Sequence, residues 1–165
     1  MHREAVHMMI GYHQSRNRLL WEAIEELGHT AFAADAAYSV GNIRNHMVHL
    51  SFVDAAWLHG LQGNPRDSFV WLDSSRYAEV YPTIATAKTF YQEVSDQLWT
   101  SVQRWTDADL QVCPAGMREQ RWQVLMHLVT HGVDHRAQVL RLIHDYGGKT
   151  FPQDLIMYLW DQAKQ

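Results

Sequence analysis

Three histidines stand four residues apart in the run His127-Leu-Val-Thr-His131-Gly-Val-Asp-His135-Arg-Ala-Gln138. A neutral imidazole is the commonest protein donor to metals such as zinc, copper, iron and nickel. On a helix, residues i and i+4 share one face about a turn apart, so two adjacent members of this run can hold one ion. All three cannot. His127 and His135 lie roughly 12 Å apart along the axis at about 1.5 Å per residue, whereas metal–nitrogen bonds are about 2 Å long.

The helical wheel separates the two possible pairs. Trp122, Leu125, Met126, Val129, Gly132, Val133, Leu140 and Ile143 share one side, and Val124, Leu128 and Leu142 widen that apolar sector past half the circumference. Such a helix is buried on more than one side. His131, His135 and Gln138 fall within or beside the sector, while His127 lies nearer Gln123, Thr130, Asp134 and Arg141. His131 and His135 are therefore the inward pair and His127 the spare. A histidine in an apolar face is more often a hydrogen-bonded core residue than a ligand, so a metal site needs a third donor from elsewhere.

Four long stretches carry helical periodicity and none shows strand-like alternation. The histidine run belongs to the last of them, spanning 119–145 and closed by Asp145-Tyr-Gly147-Gly148. His144 in its final turn reads as a partner of the helix dipole. The first stretch spans 3–27, with Val6, Ile10, His13, Asn17, Leu20, Ile24 and Leu27 on its stripe and Gly28 as its stop. The second spans 43–61, with Ser39 or Asn42 as its cap. Its stripe of Ile43, Met47, Leu50, Val53, Trp57 and Leu61 has His46 near the centre and His49 on the flank. Either could supply the third donor, and spacing leaves the two open; His59 reads as solvated. The third stretch runs from Pro82 or Thr83 to about 105 and carries no histidine.

Thr106-Asp-Ala-Asp109 has the form of a capping box for a short turn, and a short helix is expected over 152–160. The segment 60–82 is long for a connection and suits a crossover joining helices that point the same way. The expectation is a single all-α domain over residues 1–165, a four-helix bundle with that crossover and a short C-terminal helix.

Composition narrows the function classes. The 165 residues carry a net charge of -4 with no basic cluster, which excludes the electrostatic footprint of a nucleic-acid binder. One cysteine, Cys113, allows no internal disulfide. The start Met1-His2-Arg3-Glu4 lacks the apolar run of a signal peptide, and no stretch reaches the ~20 apolar residues of a membrane span. The expectation is a cytoplasmic protein with no membrane partner. The wide apolar sector around His131, together with Trp99, Trp105, Trp122 and Trp160, calls for more cover than one bundle offers, which predicts a homodimer.

Trp122-Gln123, the run from His127 to Gln138, the Gly147-Gly148 pair and Pro152-Gln-Asp154-Leu-Ile together resemble the DinB family and its DinB/YfiT-like metal-dependent relatives; His49 with Trp57 eight residues on matches that family's second helix. The likeness runs along essentially the whole chain, and His135-Arg-Ala-Gln138 is its most specific part. It implies a four-helix bundle in which three histidines hold a divalent metal, zinc or nickel, and in many members a homodimer. Carried over by residue, the ligands are His49, His131 and His135. Several members are transferases or isomerases that use low-molecular-weight thiols.

Three readings compete. Three neutral histidines leave a position open for water or substrate, the arrangement of catalytic rather than structural zinc, which suits thiol transfer or hydrolysis on a small molecule. A second reading is a non-catalytic metal- or ligand-binding bundle. A third makes the histidines ordinary core residues. The sequence names no catalytic acid or base: Asp54, Asp134 and Glu93 are available, and each reads as a solvated helix carboxylate. Arg136 and Gln138 read as packing or supporting residues.

Overall fold

Apolar residues recurring three and four apart make a helix that must bury one stripe, and four such stripes can only be satisfied against one another. A computed structural model describes residues 1–164 and shows α-helices with no strand among them: α1 Arg3–Leu27, α2 His29–Ala33, α3 Ile43–Leu61, α4 Tyr77–Val80, α5 Ile84–Arg104, α6 Asp107–Leu110, α7 Arg121–Asp145 and α8 Leu155–Gln162. The chain is all-α. No helix among the described residues is long and apolar enough to cross a membrane.

Helix ends follow local hydrogen bonding. Gly28 stops α1 with φ 91°, a conformation that favours glycine. Asn42 caps α3, its side chain accepting from the Asn45 N–H at 3.0 Å. The third long helix begins two residues after Pro82 because Thr83 and Thr86 form a reciprocal capping box, each hydroxyl accepting the other's N–H at 3.1 Å. The fourth begins at Arg121 rather than 119, since the Gln123 side chain accepts the Gln120 N–H at 2.8 Å. Thr106 and Asp109 box the short α6. The last helix starts at Leu155 and not at 152, because the chain there is tied to α1: Tyr12 donates to the Gln153 carbonyl at 2.5 Å and Arg16 to that of Pro152 at 3.5 Å.

The core is divided. One apolar cluster gathers Val6 and Ile10 of α1, Val53 and Leu61 of α3, Leu98 and Val102 of α5, and Leu125 and Leu128 of α7. A second gathers Leu20 and Ile24, Met47 and Leu50, Ala87, and Val139 and Ile143 from the same four helices. Among and between these positions α1, α3 and α7 also bury polar side chains: His13, Arg16 and Asn17 on α1, His46, Ser51 and Asp54 on α3, His135 and Arg136 on α7. This polar layer is where the chemistry lies.

Connections and exposed positions qualify the sequence expectations. The segment between α3 and α5 packs rather than dangles: Phe52 of α3 stacks on Tyr77 with centroids 5.8 Å apart and packs on Phe90 at 4.8 Å. His59 is not simply solvated, since its Nε2 lies 2.8 Å from the Ser68 hydroxyl and ties that segment to α3. Val133, read as part of the α7 stripe, is 38% exposed, so the apolar sector of that helix is narrower than the wheel suggests. Trp99, Trp105 and Trp122 are partly covered within the chain, which leaves Trp160 as the open one at 55% exposure.

Candidate metal centre

Helix α7 presents His131 and His135 one turn apart on the side facing α3, and α3 presents His49 to both. One ring nitrogen from each of the three lies within 4.8 Å of the others. The ring centroids are 4.5 Å apart for His131 and His135, 4.8 Å for His49 and His135, and 5.5 Å for His49 and His131. His135 is buried and the other two are half-buried, so the cluster sits at the margin of the polar layer with one side toward solvent.

The spare histidine stays outside. His127 is exposed, with its ring 5.6 Å from that of His131 and packed edge-on to Trp57 at 5.3 Å. His46 takes a different place. It is fully buried, and its Nδ1 lies 3.2 Å from Nδ1 of His135. It joins no group of three donors among the described residues.

Electrostatics prepare the cluster for a cation. Burial pushes the His46 and His131 imidazoles down to about 4, and a charge on neighbouring His135 adds to the effect. His49 and His135 are lowered by burial as well. All four rings are therefore neutral at pH 7, and neutral imidazole is the form with a lone pair to donate. Nδ1 of His131 is buried with no hydrogen-bond partner. Three neutral nitrogen donors and an open side are a donor set that fits a divalent metal ion.

Behind the cluster lies a network that reading by residue type misses. Asp54, expected in solvent, is 5% exposed, and its Oδ2 lies 3.1 Å from Nε2 of His13. Nδ1 of His13 is 3.2 Å from Nη1 of Arg136, which also donates to Asn17 Oδ1 at 3.0 Å, while Nε donates to Gln153 Oε1 at 2.6 Å. The signal for Asp54 was present: it stands four residues after Leu50 and seven after Met47, on the stripe rather than opposite it. Asp134 and Glu93 are exposed as expected. Gly132 makes room for the network, because a Cβ there would stand 2.5 Å from His13 Cε1 and 2.8 Å from Arg136 Nη1. The Gln153 contact explains why the tail that includes Pro152-Gln-Asp154 matters: it clasps the guanidinium that follows His135.

A helical protein whose polar mid-layer carries a three-histidine cluster is the class that fold and site define, one fitted to bind a metal ion. The chain belongs to the DinB family, whose family model matches residues 1–165. No curated protein matches it in sequence.

Proposed function

We propose that this protein is a metal-dependent enzyme in which His49, His131 and His135 hold a divalent metal ion, zinc or nickel, and that it acts on a small molecule by thiol transfer or hydrolysis. The observation that supports this most is the convergence of three neutral imidazole nitrogens within 4.8 Å on a side open to solvent. A bound divalent ion would supply Lewis-acid polarisation of a substrate atom. The chain's own residues supply the rest: the imidazoles stay deprotonated through burial, Trp57 and His127 flank the open side, and the Arg136 network holds α7 against α1. The preference for a low-molecular-weight thiol over water as nucleophile comes from family likeness.

The same reading takes the four long helices as a DinB-type bundle with the segment 60–82 as the crossover. The two apolar clusters support it: α1 and α7 run from the first cluster to the second, while α3 and α5 both run from the second to the first. It also takes the protein as a cytoplasmic homodimer, supported by the exposure of Ile156 and Trp160 on α8.

The deciding experiment uses untagged protein. Metal content per chain is measured first, then turnover in a screen of small electrophiles against cellular thiols and water, with the metal-stripped protein as control. Stoichiometric metal with metal-dependent turnover is the expected result. Full turnover without metal overturns the mechanism, and metal without turnover across the screen favours the non-catalytic binding protein. Light scattering at micromolar concentration tests the dimer.

A further inference from the structure

We infer that His46 is a positioning residue that accepts the Nδ1 proton of His135 and so leaves the Nε2 lone pair of His135 free for the ion it would share with His49 and His131. This rests on the proposed role of those three histidines. The contact between the two Nδ1 atoms, 3.2 Å and buried, has only two stable forms. Two protons between the rings would repel, and so would two lone pairs, so one ring donates and the other accepts. If His46 donates, the neutral His135 ring carries its proton on Nε2 and has no lone pair left for a metal. If His135 donates, Nε2 is free and the His46 proton moves to its own Nε2.

The surroundings favour the second form. His46 Nε2 is buried with no hydrogen-bond partner, while the backbone at Tyr38 works to raise the proton affinity of the His46 ring. Metal-binding histidines ordinarily donate their second N–H to an acceptor that fixes tautomer and ring orientation, and His46 is the one side-chain hydrogen-bond partner of His135 among the described residues. The usual acceptor is a carboxylate or carbonyl. A neutral imidazole adds no negative charge, so a bound ion stays a stronger Lewis acid than it would beside a carboxylate. His46 is not a fourth ligand in this arrangement, because it completes no group of three donors among the described residues.

The test compares His46→Asn with His46→Leu, each confirmed as folded by circular dichroism. Asparagine keeps an acceptor atom near the place of Nδ1; leucine keeps only bulk. Zinc affinity is measured by chelator competition at neutral pH, and ring tautomers in the metal-free wild type by nitrogen-15 NMR. We expect His46→Leu to bind one ion per chain about 10- to 100-fold more weakly, His46→Asn to recover most of the loss, and the wild-type spectrum to show the proton of His135 on Nδ1 and that of His46 on Nε2. Wild-type affinity in His46→Leu overturns the inference, as does complete loss of metal, which would make His46 a ligand. A His46 Nδ1 proton overturns it independently of any metal. Wild-type protein that binds no zinc at all removes the three-histidine reading itself.

Discussion

Nη1 of Arg136 donates to Nδ1 of His13 across 3.2 Å, and this contact decides where the imidazole proton sits. A guanidinium has no acceptor, so Nδ1 must offer a lone pair and Nε2 must carry the hydrogen. Nε2 lies 3.1 Å from Asp54 Oδ2 and 3.1 Å from Asn17 Nδ2, and of the two only the carboxylate can accept that hydrogen. A buried guanidinium and a buried carboxylate are thus joined through the His13 ring. Arg136→Met leaves the Asp54 charge without the cation that is hydrogen-bonded into its layer. Breaking such a pair on one side costs about 3–5 kcal/mol, which urea unfolding would register. Adding Asp54→Asn should recover part of the loss, and a loss under ~1 kcal/mol for the single variant would show that the network is incidental.

Gly132→Ala tests how tightly that layer is built. On propensity alone the change should stabilise a helix interior by up to ~1 kcal/mol. Against this, the new methyl would meet His13 Cε1 at 2.5 Å and Nδ1 at 2.6 Å. His13 cannot turn away without giving up its bonds to Asp54 and Arg136. Overpacking costs about 1–3 kcal/mol, so net destabilisation is expected, and a higher urea midpoint for Gly132→Ala would contradict it.

These contacts show what one chain can reveal and what it cannot. The four long helices were legible because each stripe is a local property, and α1 and α3 begin and end where periodicity, Gly28 and Asn42 place them. The inward turn of His131 was legible for the same reason. The respective parts of His46 and His49 were not: both lie by the α3 stripe, and what separates them is distance across to α7, which no single helix encodes. Resemblance supplied His49, while the stripe correctly made His46 the more buried. Asp54 was misread by type, since a carboxylate in a helix is usually solvated and its partners stand on α1 and α7. The short α2 and α4 carry too few residues for a periodic signal.

Neighbouring histidines should behave differently when truncated. His49→Ala, His131→Ala and His135→Ala each remove one of three converging donors and are expected to lose metal through a chelating column. His127→Ala should keep it, since its ring packs on Trp57 outside the cluster. Each variant needs a circular dichroism check, because truncating a buried histidine can strand a polar partner. Retention by His135→Ala with loss by His127→Ala would move the site one turn along α7.

The cluster should also leave a signature in the pH dependence of stability. In the folded, metal-free protein His46 and His131 titrate at about 4, and His49 and His135 are lowered from 6.5 as well. In the unfolded chain all four return to the ordinary value near 6.5. Between these limits the unfolded state binds protons that the folded state refuses, so stability rises with pH across the window and falls on acidification. It is fully present above about 6.5 and lost as pH drops toward about 4. Carboxylates with lowered values, such as Asp107 and Asp109, begin to add to the loss of stability only as pH falls below their ordinary range near 4, so the upper part of the window belongs to histidine. Urea midpoints of metal-free protein should therefore decline steadily from pH 7 to pH 5. His131→Gln, which keeps a polar side chain but cannot titrate, should flatten the decline. A midpoint unchanged over that range in the wild type would mean that these imidazoles keep their solution affinity for protons and are less desolvated than their burial implies.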